Sequence, residues 1–215
     1  MDHESITFTF AVDLFLLLLI GVGPKIALVP FLEITADMDD ATKRRVARKM
    51  LTTAATVSVL LLVLGEVLRR LLHFSIGSLS IASGLILLII AVVMLLGSGD
   101  PEKLHHRLEG QDPMRLAVFP LAIPYLVNPA GIVALLTVSA EAASVSVLAL
   151  AAGLVALVLA LDAAVFRWAN RVSDHLDEGR MLVTEKVFGF LLAALAVQLV
   201  LNGLDDVGVI HLSGH

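Results

Sequence analysis

Long apolar segments separated by short polar ones dominate the chain. Each apolar segment reaches the length of about 20 residues that an α-helix needs to cross the hydrocarbon core of a bilayer. The six predicted spans are residues 8–34, 48–72, 76–98, 115–139, 142–166 and 186–204. Tight turns around His73-Phe74-Ser75 and Ala140-Glu141 separate the second span from the third and the fourth from the fifth. The pattern predicts an all-α integral membrane protein with six transmembrane helices and no soluble domain.

The composition agrees with this interpretation. With 58% hydrophobic and 16% charged residues and a mean hydropathy of +0.94, the chain is far more apolar than a soluble domain of 215 residues. It contains no cysteine, which excludes disulfides, thiolate metal sites and cysteine nucleophiles. No basic stripe with interleaved aromatic residues supports nucleic-acid binding. The acidic start Met1-Asp2-His3-Glu4 does not suit a secretory signal, so we expect the first span to be retained.

The distribution of lysine and arginine predicts the orientation. Twelve of the fifteen basic residues lie in the three longer links, at about residues 36–49, 99–115 and 167–186. Only Arg69 and Arg70 lie on the opposite side. The positive-inside rule therefore places the longer links in the cytoplasm and both termini outside it, in a plasma or inner membrane.

Two halves of the chain are related by an offset of 105 residues. The shift places Pro24 on Pro129 and Gly84 on Gly189, and it covers the first, third, fourth and sixth spans. Because each half has three spans, an odd number, the second half must enter the membrane from the opposite face. We therefore expect a 3+3 inverted-topology repeat, an architecture common among secondary transporters. The predicted units are residues 1–98 and 115–215, joined by a cytoplasmic linker at residues 99–114.

Helix-breaking residues interrupt the first and fourth spans. Asn128 is a good N-cap and Pro129 suits the first helical position, so a second half-helix is predicted to begin there. Gly23-Pro24 repeats the arrangement in the first span, with glycine as the weaker cap. Within a bilayer such breaks survive only where they are buried in protein or line a polar cavity. These residues could also be simple kinks and close helix-packing points, and that alternative stays open.

Two half-helix N-termini that enter from opposite faces would meet near mid-depth. Their free N–H groups and positive dipole ends suit an anionic group such as a carboxylate. Glycines around both breaks let a small ligand approach the backbone closely. The predicted substrate-binding residues are Gly21, Gly23, Pro24, Lys25, Asn128, Pro129 and Gly131.

Three ionisable residues within the spans are further candidates. Lys25 lies about ten residues before the cytoplasmic end of its span, roughly 15 Å at helical rise, where a charge is costly and usually functional. Its ammonium could bind a substrate carboxylate, pair with Asp162 or Glu33, or snorkel to the interface. Asp162, near the cytoplasmic end of the fifth span, and Asp13, near the outer interface, are candidates for ion or proton coupling. A solvated interfacial role for Asp162 and a passive role for Asp13 stay open.

Four motifs in order resemble the MarC family of six-span membrane proteins, which includes small neutral amino acid transporters. They are the run 23–32 beginning Gly23-Pro24-Lys25, the runs Phe74-Ser75-Ile76 and 81–86, the run from Phe119-Pro120 through Asn128-Pro129-Ala130-Gly131, and Gly189-Phe190 through Gln198 to Asn202-Gly203. The resemblance implies a six-helix inverted-repeat transporter with both termini outside. The chain departs from the family pattern in having Gly23-Pro24 in the first break, Asn128-Pro129-Ala130 in the fourth span, and a charge at Lys25.

These observations favour a secondary transporter for a small polar solute, with small neutral amino acids expected and alternating access as the mechanism. Neither a phosphate-binding loop nor a metal or catalytic constellation is present, so we expect no enzyme activity, no metal and no cofactor. The expected partners are the small-molecule substrate and membrane lipids. Two other classes stay open: a non-transporting membrane protein of assembly or regulatory role, and a channel.

Overall fold

The computed structural model describes residues 8–96, 111–142, 144–172 and 178–211. Within these residues every regular element is helical, as the sequence predicts. The elements are α1 (Phe8–Gly21), α2 (Pro24–Thr35), α3 (Asp40–Leu72), α4 (Ile76–Leu96), α5 (Pro113–Leu116), the π-helical segment π1 (Ala117–Leu126), α6 (Pro129–Glu141), α7 (Val145–Val172) and α8 (Glu178–Asp206). Most of the predicted linker at residues 99–114 lies outside the described part of the chain.

The described helices give five or six candidate membrane spans, and the higher number matches the prediction. Five helical stretches among the described residues are long and apolar enough to cross a membrane. The sixth is the bent pair Pro113–Leu126 and Pro129–Ala140. The described part of the protein is therefore all-helical, with five or, counting the bent pair, six candidate membrane spans.

The helices continue past the predicted spans at their polar ends. α3 begins at Asp40 because Asp39 caps it: its carboxylate accepts hydrogen bonds from the backbone N–H groups of Ala41 and Thr42, both at 3.1 Å. The hydrogen bonds from Thr42, first its hydroxyl and then its backbone N–H, lower the pKa of Asp39 below its usual value. Most of the predicted polar link at residues 36–49 is thus the first part of a helix.

The first and fourth spans are broken, as predicted. α1 and α2 lie in one span and are interrupted at Val22 and Gly23. π1 and α6 meet at a bend of 70°. Asn128, the residue before α6, has extended backbone torsions and is the N-cap of that half-helix.

The half-helices pack crosswise around these breaks. α1 packs against α6 and α2 packs against π1, so each half-helix of one span meets the opposite half of the other. α3 and α7 pack on each other and on these half-helices, while α4 and α8 lie side by side. The central hydrophobic cluster fills the space between the broken spans, α3 and α7. Its largest fully buried side chains include Leu18, Phe31, Met50, Leu121, Leu135 and Phe166.

Candidate functional site at the two helix breaks

The two breaks touch each other through glycine backbone. A Cβ atom on Gly21 would lie 2.3 Å from Gly131 Cα, and one on Gly131 would lie 2.2 Å from the Gly21 carbonyl oxygen. Both distances are far below a van der Waals contact, so neither position accepts a side chain without moving the backbone. The two breaks therefore meet where α1 ends and α6 begins, and glycine at both positions is what permits it. The meeting of the two half-helix N-termini near mid-depth stays a prediction.

Asn128 joins the two breaks by hydrogen bonds. It is fully buried, at 0% exposure. Its side-chain N–H donates to the Ile20 carbonyl at 2.8 Å, and its backbone N–H donates to the Gly21 carbonyl at 3.0 Å. These two carbonyls end α1 and have no partner within that helix. The Asn128 side-chain oxygen accepts from the Gly131 N–H at 3.1 Å, which confirms the predicted N-cap.

The two half-helix N-termini are not equivalent. At the start of α6 the Gly131 N–H is bonded to Asn128, so this group is not free for a ligand, contrary to the expectation for it. The reason is that an asparagine cap carries its own acceptor. At the start of α2 the cap is Gly23, which makes no side-chain hydrogen bond, and Pro24 follows as the first residue. The N-terminus of α2 is thus the one without a capping side chain.

The predicted binding residues fall into two groups. Gly21, Asn128 and Gly131 form the contact between the breaks, and Pro129 directly follows the cap. Gly23 and Pro24 form the start of α2 in the same break. Lys25 is the second residue of α2, but its side chain lies outside the described part of the chain. The three predicted roles of its ammonium, which are binding a substrate carboxylate, pairing with an acidic residue and snorkelling to the interface, therefore stay predictions.

The two candidate coupling residues lie in different environments. Asp13 is exposed on α1, eight residues before the break, and is not part of the contact between the two broken spans. Asp162 is fully buried, at 0% exposure, and neither of its carboxylate oxygens has a hydrogen-bond partner. The solvated interfacial role for Asp162 is therefore wrong. Its helix runs on to Val172, and the neighbouring apolar residues Val158 and Phe166 share a hydrophobic cluster with side chains of α2 and α3.

The first half of the fourth span is irregular, which the span prediction missed. Phe119 and Ile123 have extended torsions inside π1, with φ of −137° and −135°. Each precedes a proline, Pro120 and Pro124, and the peptide bonds between them are cis. Each proline also removes a backbone donor from the helical ladder. The spacing of these prolines was the signal in the sequence that could have located the irregular segment.

A hydrogen bond ties α3 to α6 away from the breaks. The Ser139 hydroxyl accepts from the backbone N–H of Glu66 at 3.0 Å. A Cβ atom on Gly65 would lie 2.7 Å from Leu136, so the two helices are in close contact there. The Glu66 carboxylate accepts hydrogen bonds from the guanidinium groups of Arg69, at 2.7 and 3.0 Å, and Arg70. The second half of the fourth span is therefore anchored to α3.

Apolar helices long enough to cross a bilayer, two of them broken and joined at their breaks, define a multi-pass integral membrane protein. The model of the MarC family of integral membrane proteins matches residues 8–207. Because this covers most of the 215 residues, the chain belongs to the MarC family. The predicted resemblance is thereby confirmed.

Relatives from archaea and bacteria align along most of their length. The UPF0056 membrane protein MJ1677 of Methanocaldococcus jannaschii is 25% identical over 184 residues, covering 85% of this chain and 90% of that protein. A UPF0056 membrane protein of Archaeoglobus fulgidus is 28% identical, covering 89% and 91%. The UPF0056 membrane protein YhcE of Escherichia coli is 25% identical, covering 93% and 92%. No solved structure matches this chain significantly.

Proposed function

We propose that this protein is a secondary transporter of a small polar solute, most simply a small neutral amino acid, which binds where the two broken helices meet. The observation that carries the proposal is the contact between the breaks, made by Gly21, Gly131 and the buried Asn128. Broken helices that face each other within a membrane protein are a recurring way to build a solute site, since their ends offer backbone groups without intrahelical partners.

The unequal N-termini suggest how a zwitterionic solute binds. The start of α2 has no capping side chain, so its first N–H groups and positive dipole end are available for a carboxylate. The start of α6 is already capped by Asn128. We therefore place the carboxylate at Gly23, Pro24 and Lys25 rather than at both N-termini. The glycine contact leaves little room beside it, which favours a solute with a small side chain.

The pattern of helix contacts supports an inverted repeat. Under the 105-residue offset, Gly84 corresponds to Gly189 and Leu95 to Val200. A Cβ atom on Gly84 would lie 2.7 Å from Val200, and one on Gly189 would lie 3.1 Å from Leu95. The offset therefore converts the first contact into the second. The offset also places α1 on π1 and α2 on α6, so it converts the packing of α1 against α6 into that of π1 against α2. Such reciprocity is expected for two units related by a pseudo-two-fold axis.

Alternating access follows from this arrangement. In the proposed mechanism the two three-helix units rock against each other, and the contact between the breaks is the place where they separate or re-form. The charge distribution gives the accompanying topology, with both termini outside the cytoplasm in a plasma or inner membrane. Coupling to an ion gradient is expected, because the sequence contains no nucleotide-binding loop.

Transport in proteoliposomes tests the proposal. The purified protein should give saturable uptake or counterflow of at least one small neutral amino acid from a panel that also contains acidic and basic ones. Both directions and both proton and sodium gradients must be tried. Absence of saturable transport under all these conditions would refute the proposal. Discrete single-channel currents in planar bilayers would indicate a channel instead.

Ligand-induced thermal stabilisation gives a second readout with matched variants. Asn128→Ala and Lys25→Ala should lose the stabilisation that the transported amino acid confers on the wild type. Gly153→Ala should keep it, because Gly153 lies on α7 with no atom within 4 Å of the added methyl group. Equal stabilisation of all three variants would place the binding site elsewhere.

One observation favours a second candidate, a membrane protein that assists assembly or regulation without transport. The side-chain N–H and oxygen of Asn128 are both bonded within the chain, as expected of a structural joint. On this alternative no small solute would stabilise the protein, and the Asn128→Ala variant would differ from the wild type in stability alone.

A further inference from the structure

The second helix of each proposed unit carries a buried stripe of the same spacing. On α3 the stripe includes Ala47, Ala54, Ser58, Leu62 and Gly65. On α7 an offset of 104 residues places Ala151, Val158, Asp162, Phe166 and Ala169 at the same positions, all of them buried. The two helices pack on each other, and apolar members of both stripes belong to the same hydrophobic cluster.

The central position of both stripes is polar. In the described part of the chain, Ser58 and Asp162 are the residues whose buried side-chain oxygens have no hydrogen-bond partner. Both are 0% exposed. A buried polar group without a partner costs free energy, and a charged one costs far more, so such a group is retained only for a reason. The two positions match at an offset of 104 residues, one less than the offset of 105 that relates the other spans, and the buried stripes on both helices support this alignment.

We propose that Asp162 is the proton-binding residue of the transport cycle, and that this structure holds it closed off from both sides of the membrane. The inference rests on the proposed transport function. When the site opens to one side, a carboxylate oxygen takes a proton from water there and becomes the neutral acid. When it opens to the other side, the acid returns the proton to water. The matching Ser58 does not ionise, so this pair of positions carries at most one proton per cycle.

The surroundings of Asp162 favour a proton over a metal cation. A bound cation needs several oxygen ligands, whereas the neighbouring members of the stripe are apolar. The described residues contain no group of three or more acidic or histidine side chains able to hold a metal ion. A proton needs only the carboxylate itself, and the resulting neutral acid suits an apolar interior.

The described charged side chains on the helices around Asp162 make no hydrogen bond with it. α7 packs against α1, α2, α3 and α6. On α3, Glu66 is paired with Arg69 and Arg70, and the basic residues from Lys43 to Lys49 lie in the first turns. The other charged residues of these elements are exposed Asp13, half-buried Glu33, exposed Asp40 and Arg167, and Lys25, Glu141 and Arg171, whose side chains are not described.

The Phe31–Phe166 pair lies one helical turn beyond Asp162. The ring centroids are 5.0 Å apart at an interplanar angle of 62°, and both rings are fully buried. Phe31 belongs to α2, the half-helix that begins at the first break. A movement of α2 about that break would therefore separate the two rings, one turn away from Asp162. This links the proposed solute site to the proton site.

Infrared spectroscopy of the reconstituted protein tests protonation without a solute. The wild type should show the carbonyl stretching band of a buried carboxylic acid, which Asp162→Asn should lose. The matched control Asp40→Asn should keep it, because Asp40 is exposed at the polar start of α3. Asparagine has nearly the size of the neutral acid, so the variant should fold. If Asp162→Asn does not fold, Asp162→Glu provides a second variant, which keeps a carboxylic acid at this position.

Proteoliposome assays with labelled alanine test the role in transport. In Asp162→Asn, accumulation driven by a proton gradient should fall to the level without a gradient, while counterflow exchange of alanine persists. The control Asp40→Asn should retain gradient-driven accumulation. The inference would be overturned if Asp162→Asn kept the infrared band, or if the band disappeared while gradient-driven accumulation stayed unaltered. Either result would leave the proposed transport function intact. Absence of any transport by the wild type across the amino acid panel would overturn the proposed function itself, and the inference with it.

Discussion

A methyl group placed at the contact between the helix breaks should separate them. Gly131→Ala puts a Cβ atom 2.2 Å from the Gly21 carbonyl oxygen and 2.6 Å from its carbonyl carbon. An ordinary contact begins near 3.4 Å, so the backbones must move apart by about 1.2 Å. The atoms involved belong to helix backbone, which cannot rotate away as a flexible side chain would. We therefore expect the hydrogen bonds across the contact to break.

The size of the effect follows from those bonds. Asn128 donates to the Gly21 carbonyl at 3.0 Å and to the Ile20 carbonyl at 2.8 Å, and such a movement lengthens both to about 4 Å, beyond bonding range. Each buried group left without a partner costs about 1–3 kcal/mol. Alanine recovers about 1 kcal/mol from its higher helix propensity. For the two N–H groups of Asn128, the expected net loss is about 1–5 kcal/mol in the free energy of unfolding.

Gly153→Ala is the matched control for Gly131→Ala. Gly153 also lies in a helix, but a Cβ atom there meets nothing within 4 Å. Only the propensity gain remains, so this variant should be more stable than the wild type by about 0.5–1 kcal/mol. The fluorescence of the single tryptophan, Trp168, can follow unfolding of all three proteins in detergent. Equal stabilities of Gly131→Ala and Gly153→Ala would refute the close backbone contact.

Three other substitutions test separate parts of the structure, each by the same unfolding measurement. Asn128→Ala removes the cap of α6 and leaves the Ile20 carbonyl without its donor. It should destabilise the protein by about 2–4 kcal/mol, and a loss well below 1 kcal/mol would contradict this. Ser58→Ala removes a buried hydroxyl that has no partner, so stability should stay equal or rise by about 1 kcal/mol, whereas a marked loss would reveal a bonded hydroxyl. Phe166→Ala removes a fully buried ring that contacts Phe31 and should cost about 3–5 kcal/mol, and a smaller loss would mean that the site collapses readily.

The breaks were predictable because their causes are local. Asn and Gly suit the N-cap and Pro suits the first helical position, and both half-helices begin where these pairs stand. The bond from Asn128 to the Ile20 carbonyl joins residues 108 positions apart. Local signals carry no information on such a partner. The contact could be expected from the repeat, but its hydrogen bonds could not.

The environment of Asp162 was misjudged for a related reason. Hydropathy ended the fifth span at residue 166, four residues after Asp162, which suggested a solvated position. The helix continues to Val172, and Asp162 lies on the stripe that faces α3 and the broken helices. Hydropathy measures how apolar a stretch is, but burial depends on which helix covers it. The irregular π1 segment was missed for a different reason, because the local signal of Pro120 and Pro124 within an apolar stretch was not used.

The two proposed units resemble each other in packing but differ in chemistry. At the breaks, one unit supplies the uncapped N-terminus of α2 with Lys25, and the other supplies the Asn128 cap. On the second helices, one unit supplies Ser58 and the other Asp162. In the proposed transport cycle, matching backbones would allow two conformations of similar free energy, as alternating access requires. Unequal side chains would give these two conformations different affinities for solute and proton, while the gradients set the direction of net transport.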